Sequence, residues 1–545
     1  MQRSTLAKRL WLLLSAAACL TYLYGLGDYP LVGADEPRYA QVAREMYARG
    51  DLLTPTLGGL HWFEKPPLPY WMMMAGYGVL GVSESAARLG PALSGLLCVL
   101  SLGLLARQVE EKLGEAGRWL GLCVAGVLAS SAGLLTFSRG ASFDVVLTAC
   151  TTSALSFFLA AELDEDAPRR RLLLAGFYSA VGLATLAKGL AGVLIPAGVV
   201  GGYFLSSRRW PPLNRLGVWW GAALALAVGA VWYAPAVARH GWEFVDEFFV
   251  QHHFARYVSD KYRHPQPFFY YLYIMPLLAL PWTLFAAEGL WGPRGRGAGG
   301  DPTERKFRAF AAAWLLFPVV FFSFSGSKLP GYVLPALPGA ALLAGAGLSR
   351  YVRGGAGVSL MRATGVGALC MCAAGVIHAR RGGSIPMTAT LAITAPAFVA
   401  GVSAVFLARR RALCAGSLVA CAFVTAAMIV SLAAGRYAAA ESVRDLLREA
   451  DAGGLGGLPI LQLHDVERTS EFYGAGRLAY AADGQPLKLE GPYEVVREAG
   501  ARGGRALVIV PSVYLHQLEN VRGASTRLVA ENGVHALVYV EAGGV

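Results

Sequence analysis

Hydrophobic residues run along this chain in long blocks separated by short polar clusters. Thirteen such blocks lie near residues 10–27, 86–107, 118–136, 143–162, 171–187, 189–206, 215–238, 268–289, 307–325, 331–349, 358–378, 388–408 and 412–434. Each is close to the roughly 17–25 residues that a helix needs to cross the hydrocarbon core of a bilayer. Each therefore predicts a membrane-spanning α-helix. The segment LPYWMMMAGYGVLGV, 68–82, is apolar but short, and predicts a piece that dips into the interface.

Past residue 434 the pattern changes. ESVRDLLREA and YEVVREAG have a helical period, whereas LPILQLH, RALVIVP and HALVYV read as strands. Residues 435–545 thus form a small α/β domain, of the usual size for one domain. Residues 1–434 form an all-α polytopic membrane domain with two long outer loops, 28–84 and 239–267. No tandem repeat is visible, and RGRGAGG, 294–300, reads as a flexible loop.

Composition agrees. The 545 residues are 55% hydrophobic and only 15% charged, with a mean hydropathy of +0.46. The net charge of +12 is not a nucleic-acid signature, because the basic residues sit in short clusters between apolar blocks. Arg3, Lys8 and Arg9, the run Arg169-Arg170-Arg171, and the run Arg409-Arg410-Arg411 all fall on one side of the predicted topology. The positive-inside rule makes that side cytoplasmic. Thirteen spans then put the C-terminal domain, 435–545, on the outer side. The eight cysteines all lie in apolar stretches and read as small buried hydrophobes, not as disulfides or a zinc site. The first block reads as an uncleaved helix, since no convincing small-residue cleavage site precedes the polar stretch.

The outer face is where chemistry collects. GADEPRYA and HWFEKPPLPYW in the first outer loop carry Asp35, Glu36, Arg38, Trp62, Glu64 and Lys65. FSRGASFD supplies Arg139 and Asp144, and the third outer turn carries Lys188. The fourth outer loop holds His252, His253 and Arg256. SGSKLPGY holds Lys328 and Tyr332. Ionisable groups at membrane boundaries are costly unless paired or hydrated, so they mark candidate sites. A carboxylate there can take a proton from an acceptor hydroxyl or phosphate, or orient it. Lys65, Arg256 and Lys328 suit a phosphate and its stabilisation as a leaving group. Trp62, Phe63, Tyr70, Trp71 and Tyr332 suit a sugar ring or a lipid chain. The sum is transfer from a lipid-linked phosphate, and no Walker loop or dinucleotide fingerprint competes with it.

Structural readings stand beside these. Arg38 and Arg139 also fit interfacial anchors that snorkel. Asp144 also fits a helix cap, His252-His253 a surface pair, and Pro66-Pro67 a bend. Asp35-Glu36-Pro37 reads as a helix start, with acid ahead of the first turn and proline at its first position.

ADEPRYAQVAREM, FEKPPLPYW, SRGASFDVVLTA, HHFARY and SGSKLPGYVLPALP, in that order, resemble the integral-membrane glycosyltransferases of the GT-C fold. The resemblance is closer to the family holding bacterial aminoarabinose lipid A transferase and related polyprenyl-phosphate-sugar transferases, with protein O-mannosyltransferases more distant. It runs motif by motif to about residue 350. It implies an undecaprenyl-phosphate sugar donor and inversion by direct displacement at the periplasmic face. By position it implies Asp35 and Asp144 as the catalytic acids, and Lys65, Arg256, Lys328 and Tyr332 around the donor phosphate. Glu36, Arg38, Trp62 and Arg139 are candidate substrate contacts. Glu64 with His252 or His253 is an incomplete shell for a divalent metal, zinc or magnesium, and no cofactor is otherwise required.

The leading expectation is a sugar transferase acting on lipid A. The same fold with a protein, glycan or other lipid as acceptor is the alternative. A transporter or flippase would carry functional charges near the middle of several spans, but here the charge crowds at one face.

Overall fold

The thirteen apolar blocks coincide with helices in a computed structural model of the protein, which describes residues 2–208, 210–255, 265–291, 301–382 and 385–543. In chain order these begin with α1 (Gln2–Leu23), α2 (Asp35–Arg49), the short strands β1 (Thr56–Leu57) and β2 (Leu60–His61), α3 (Leu68–Leu80) and α4 (Glu84–Leu113). There follow α5 (Leu120–Ala129), α6 (Ala132–Ser138), α7 (Phe143–Leu163), α8 (Ala167–Lys188), α9 (Ala191–Ser207) and α10 (Val218–Val245). Next come α11 (Tyr270–Leu278), α12 (Thr283–Trp291), α13 (Pro302–Ser323), the 3-10 segment Pro330–Ala336 and α14 (Leu337–Val352). The apolar helices end with α15 (Val358–Arg380), α16 (Met387–Phe406) and α17 (Arg411–Ile429).

Among the described residues, nine helices are long and apolar enough to cross a membrane alone, and two bent pairs raise that to eleven. The remaining two blocks are α8, whose first turns hold Arg169, Arg170 and Arg171, and α9, which has 17 residues.

The chain forms two compact units. One comprises residues 1–24, 63–69 and 88–429; the other comprises 25–62, 70–87 and 430–545. Most of the first outer loop therefore folds with the C-terminal domain, while the segment around FEKPPL folds with the helices.

In the helical unit α7 packs against α8, α13 against α14, and α15 against α16. Leu12, Leu20, Leu226 and Val231 remain largely exposed, as side chains that meet lipid do. Two predicted spans are broken. Block 118–136 bends by 56° between α5 and α6, and block 268–289 bends by 118° between α11 and α12. Ser130 and Ser131 interrupt the first. Their hydroxyls turn back to the carbonyls of Gly126 (2.5 Å) and Val127 (2.6 Å). The two breaks complete each other: the Ala132 N–H donates to the Leu280 carbonyl (2.9 Å), and the Trp282 indole N–H donates to Ser130 Oγ (2.9 Å). Backbone freed inside an apolar bundle needs such partners, which is why neither break stands alone.

In the other unit, five strands form a mixed sheet in the order β4 (Lys488–Leu489), β3 (Ile460–Leu463), β5 (Arg505–Pro511), β7 (His535–Ala542), β6 (Ala524–Glu531). β3 pairs parallel with β4 and β5, and β7 pairs antiparallel with β5 and β6. Leu461, Val508 and Val538 are buried on one face, with Val495 and Ala499 of the helix Pro492–Ala501. Ile460, Leu507 and Leu537 are buried on the other, with Leu446 and Leu447 of the helix Arg444–Ala452. Burial on both faces explains the unbroken apolar run of RALVIVP. The helices and strands expected in the tail are present. β6 was not expected, and β4, with two residues, is too short to read from a pattern. β6 is a largely exposed edge strand with an irregularity between Leu528 and Ala530, so its alternation is weak.

Candidate active site

In the helical unit the site is built at one end of the α7–α8 hairpin. Ser142 caps α7, its hydroxyl accepting from the Asp144 N–H at 3.1 Å. The Asp144 side chain is thereby not the cap, and its carboxylate forms an ion pair with Lys188, the last residue of α8. The Lys188 ammonium also lies 4.4 Å from the centre of the Tyr332 ring. Gly331 stands directly against the Asp144 carboxylate and Phe137, so a Cβ at 331 has no room. The SKLPGY motif thus needs its glycine for close approach. Asp144 and Tyr332, both expected at the site, meet here. Lys188 was noted on the outer face but given no role.

Lys328 is buried, and its ammonium donates to the carbonyls of Ser325 (2.6 Å) and Gln266 (3.1 Å). The FEKPPL segment is anchored by Phe63, wholly buried against His240 (ring centres 5.0 Å apart) and Phe244 (5.2 Å). Its two charged residues pair with each other, Lys65 Nζ donating to Glu64 Oε1 at 2.9 Å.

In the other unit Asp35 opens α2, which starts two residues before Pro37. Asp35 is exposed and has no side-chain partner among the described residues. Its neighbour Glu36 does the structural work, accepting from the Val32 N–H at 3.0 Å. One turn on, the Arg38 guanidinium lies 5.4 Å from the Trp62 ring centre. Trp62 follows the β1–β2 hairpin, whose turn is Gly58-Gly59 with φ of 61° and 83°. Glu45 fixes that hairpin, accepting from Thr56 Oγ1 (2.6 Å), Gly58 N–H (2.8 Å) and Gly59 N–H (3.2 Å).

Behind Arg38 sits Glu471. Its side chain is fully buried, 2.7 Å from an Arg468 nitrogen and 3.9 Å from Arg38 Nε. Burial pushes its carboxyl above the ordinary range, while Arg468 and Arg38 pull it back.

Arg139 has a structural post: its guanidinium donates to the carbonyls of Thr21 (2.5 Å) and Tyr24 (2.6 Å) at the end of α1. Trp71 donates to the Leu52 carbonyl at 2.8 Å. Arg256 and the side chains of His252 and His253 lie outside the described residues. Glu64 is then the one described member of the expected metal shell, and its Oε1 already accepts from Lys65. Among the described residues no three His, Cys, Asp or Glu gather to hold a metal ion. All eight cysteines are free thiols.

The sequence pattern of the dolichyl-phosphate-mannose-protein mannosyltransferase family matches residues 64–233. An undecaprenyl phosphate-alpha-4-amino-4-deoxy-L-arabinose arabinosyl transferase of Pseudomonas paraeruginosa is 34% identical over 355 residues, 64% of this chain and 61% of that one. The protein of that name in Edwardsiella ictaluri is 32% identical over 344 residues, 62% and 59% of the two chains. The chain thus spans about three-fifths of the length of these curated relatives. ArnT from Cupriavidus metallidurans in the apo state superposes with a TM-score of 0.78, at 24% identity and 98% of both chains. The same protein bound to undecaprenyl phosphate gives 0.76 over 97% of both. The chain therefore has the GT-C fold of the ArnT structures, carries the dolichyl-phosphate-mannose-protein mannosyltransferase pattern in residues 64–233, and resembles the aminoarabinosyl transferases.

Proposed function

We propose that this protein is an inverting glycosyltransferase, moving a sugar from a polyprenyl-phosphate donor to an acceptor at the periplasmic face of the bacterial inner membrane. Within that class the reading is 4-amino-4-deoxy-L-arabinose passed from undecaprenyl phosphate to lipid A. The observation that carries it is Asp35, an exposed carboxylate with no partner among the described residues, held in the first turn of a helix one turn from Arg38. The resemblance to the aminoarabinosyl transferases supports the choice of donor and acceptor.

In this reading the acceptor oxygen bonds to the anomeric carbon as the bond from that carbon to the phosphate oxygen breaks. The electron pair leaves on the polyprenyl phosphate, and Asp35 takes or orients the acceptor proton. Lys65, Arg256 and Lys328, with the Tyr332 hydroxyl, offset the charge that grows on the leaving phosphate. Asp144 fixes Lys188 over Tyr332 and so sets the position of that ring. Arg38 on Trp62 offers a cationic, flat surface to an acceptor. A divalent metal held by Glu64 with His252 or His253 is a separate, secondary proposal, and no step above depends on it. Chelation followed by zinc or magnesium add-back tests it.

The test is mass spectrometry of lipid A from a strain lacking the gene and the same strain carrying it. Aminoarabinose on lipid A only in the second is expected. Unchanged lipid A with continued donor consumption by the purified protein redirects the acceptor to protein, glycan or another lipid. Movement of donor across vesicles without chemical transfer overturns the enzyme reading.

A further inference from the structure

At the face of the helical unit that its positive charge assigns to the cytoplasm, the start of α8 and the start of α10 enclose a hollow of about 430 Å³. Arg170, Arg171 and Arg215 line it, with Trp219 and Trp220 on the wall. None of the three arginines has an ion-pair partner among the described residues, and none of the lining residues is acidic. Arg170 and Arg215 also border a neighbouring hollow lined by Glu162, Asp164 and Glu165. There Asp164 pairs with Arg169 at 3.2 Å and Glu162 with Lys306 at 3.3 Å, while Glu165 forms no ion pair with the three arginines among the described residues. Arg171 is held over the Trp220 ring at 5.7 Å, and Trp220 packs on Tyr178 with ring centres 5.8 Å apart.

Beyond this polar mouth the surface turns apolar. Leu172, Trp219 and Leu226 are each more than 70% exposed, and Trp219 and Leu226 are seven residues apart on one face of α10. Cations, then an indole belt, then bare aliphatic surface is the order in which a phospholipid presents phosphate, glycerol and chains.

We propose that this hollow binds the headgroup of an anionic phospholipid, its phosphate among Arg170, Arg171 and Arg215 and its chains along Leu172 and Leu226. Three unpaired guanidiniums favour a headgroup with two phosphates, as in diphosphatidylglycerol, over a zwitterionic one. The site is remote in sequence from the outer-face motifs and does not depend on the proposed transfer.

The test is native mass spectrometry of the full-length protein in detergent, titrated with diphosphatidylglycerol, with phosphatidylethanolamine, and with inorganic phosphate as competitor. Diphosphatidylglycerol adducts should dominate, and each of Arg170→Gln, Arg171→Gln and Arg215→Gln should weaken them by about fivefold. Arg169→Gln, which removes a cation just outside the hollow, should leave them unchanged and controls for folding. Equal retention of phosphatidylethanolamine, displacement of the lipid by millimolar phosphate, or insensitivity to Arg171→Gln in a protein that elutes as wild type overturns the proposal.

Discussion

Lys188, the last residue of α8, forms an ion pair with Asp144 in the first turn of α7, and the same ammonium sits over the ring of Tyr332. Their side chains are 19% (Lys188) and 17% (Asp144) exposed, between a surface pair and a buried one. Removing either partner should therefore destabilise the protein by about 1–3 kcal/mol. Asp144→Asn and Lys188→Met, made singly and together, should show non-additive losses in thermal unfolding, because each single change strands the other charge. Strict additivity would show that the pair is not coupled.

Gly331 faces the Asp144 carboxylate with no room for a Cβ. Gly331→Ala should push that carboxylate off Lys188 and reduce transfer by about a hundredfold, the scale of a displacement near 1 Å at a reacting centre. The expected pattern is normal membrane insertion with lost turnover, read by immunoblot and a reconstituted transfer assay. Wild-type turnover would mean that the geometry at Asp144 does not bear on the reaction.

Asp35 contrasts with Asp144, since it is exposed and has no side-chain partner among the described residues. Asp35→Asn should change stability by less than about 1 kcal/mol, the loss of a charge at a helix start. Transfer should fall by roughly 10²–10⁴-fold if Asp35 handles the acceptor proton. Retained transfer removes Asp35 from the mechanism.

Glu471 gives a pH dependence with a definite sign. Burial raises its carboxyl above the ordinary 4.5, so between those two values the folded state binds a proton that the unfolded state has lost. Stability of the C-terminal unit should fall as pH rises through that window. Glu471→Gln should flatten the slope, which thermal unfolding across a pH series reads directly. A slope that persists in the variant assigns the titration to another group.

The spans were legible because a bilayer demands length and apolarity, and both are written in the sequence. The breaks at Ser130-Ser131 and between Leu278 and Thr283 were not, since what makes them tolerable is a partner in a distant segment. Lys188 was within reach. Two spans joined by a short turn run antiparallel, so a charge opening the first and one closing the second must meet. Asp35 and Glu36 could not be told apart by type; the hydrogen bond from Val32 separates them. Arg139 resembles a ligand in sequence, but it serves the carbonyls at the end of α1, a role that only the packing discloses. β6 was missed because an exposed edge strand places little demand on its residues.

The mutual bonding of the two interrupted helices ties their fates together. Repairing Ser130-Ser131 into a continuous helix would leave the buried indole of Trp282 and the carbonyl of Leu280 without the partners they now bond. Any sequence sharing this architecture should then keep both interruptions or lose both, so that a straight helix at one position forecasts a straight helix at the other.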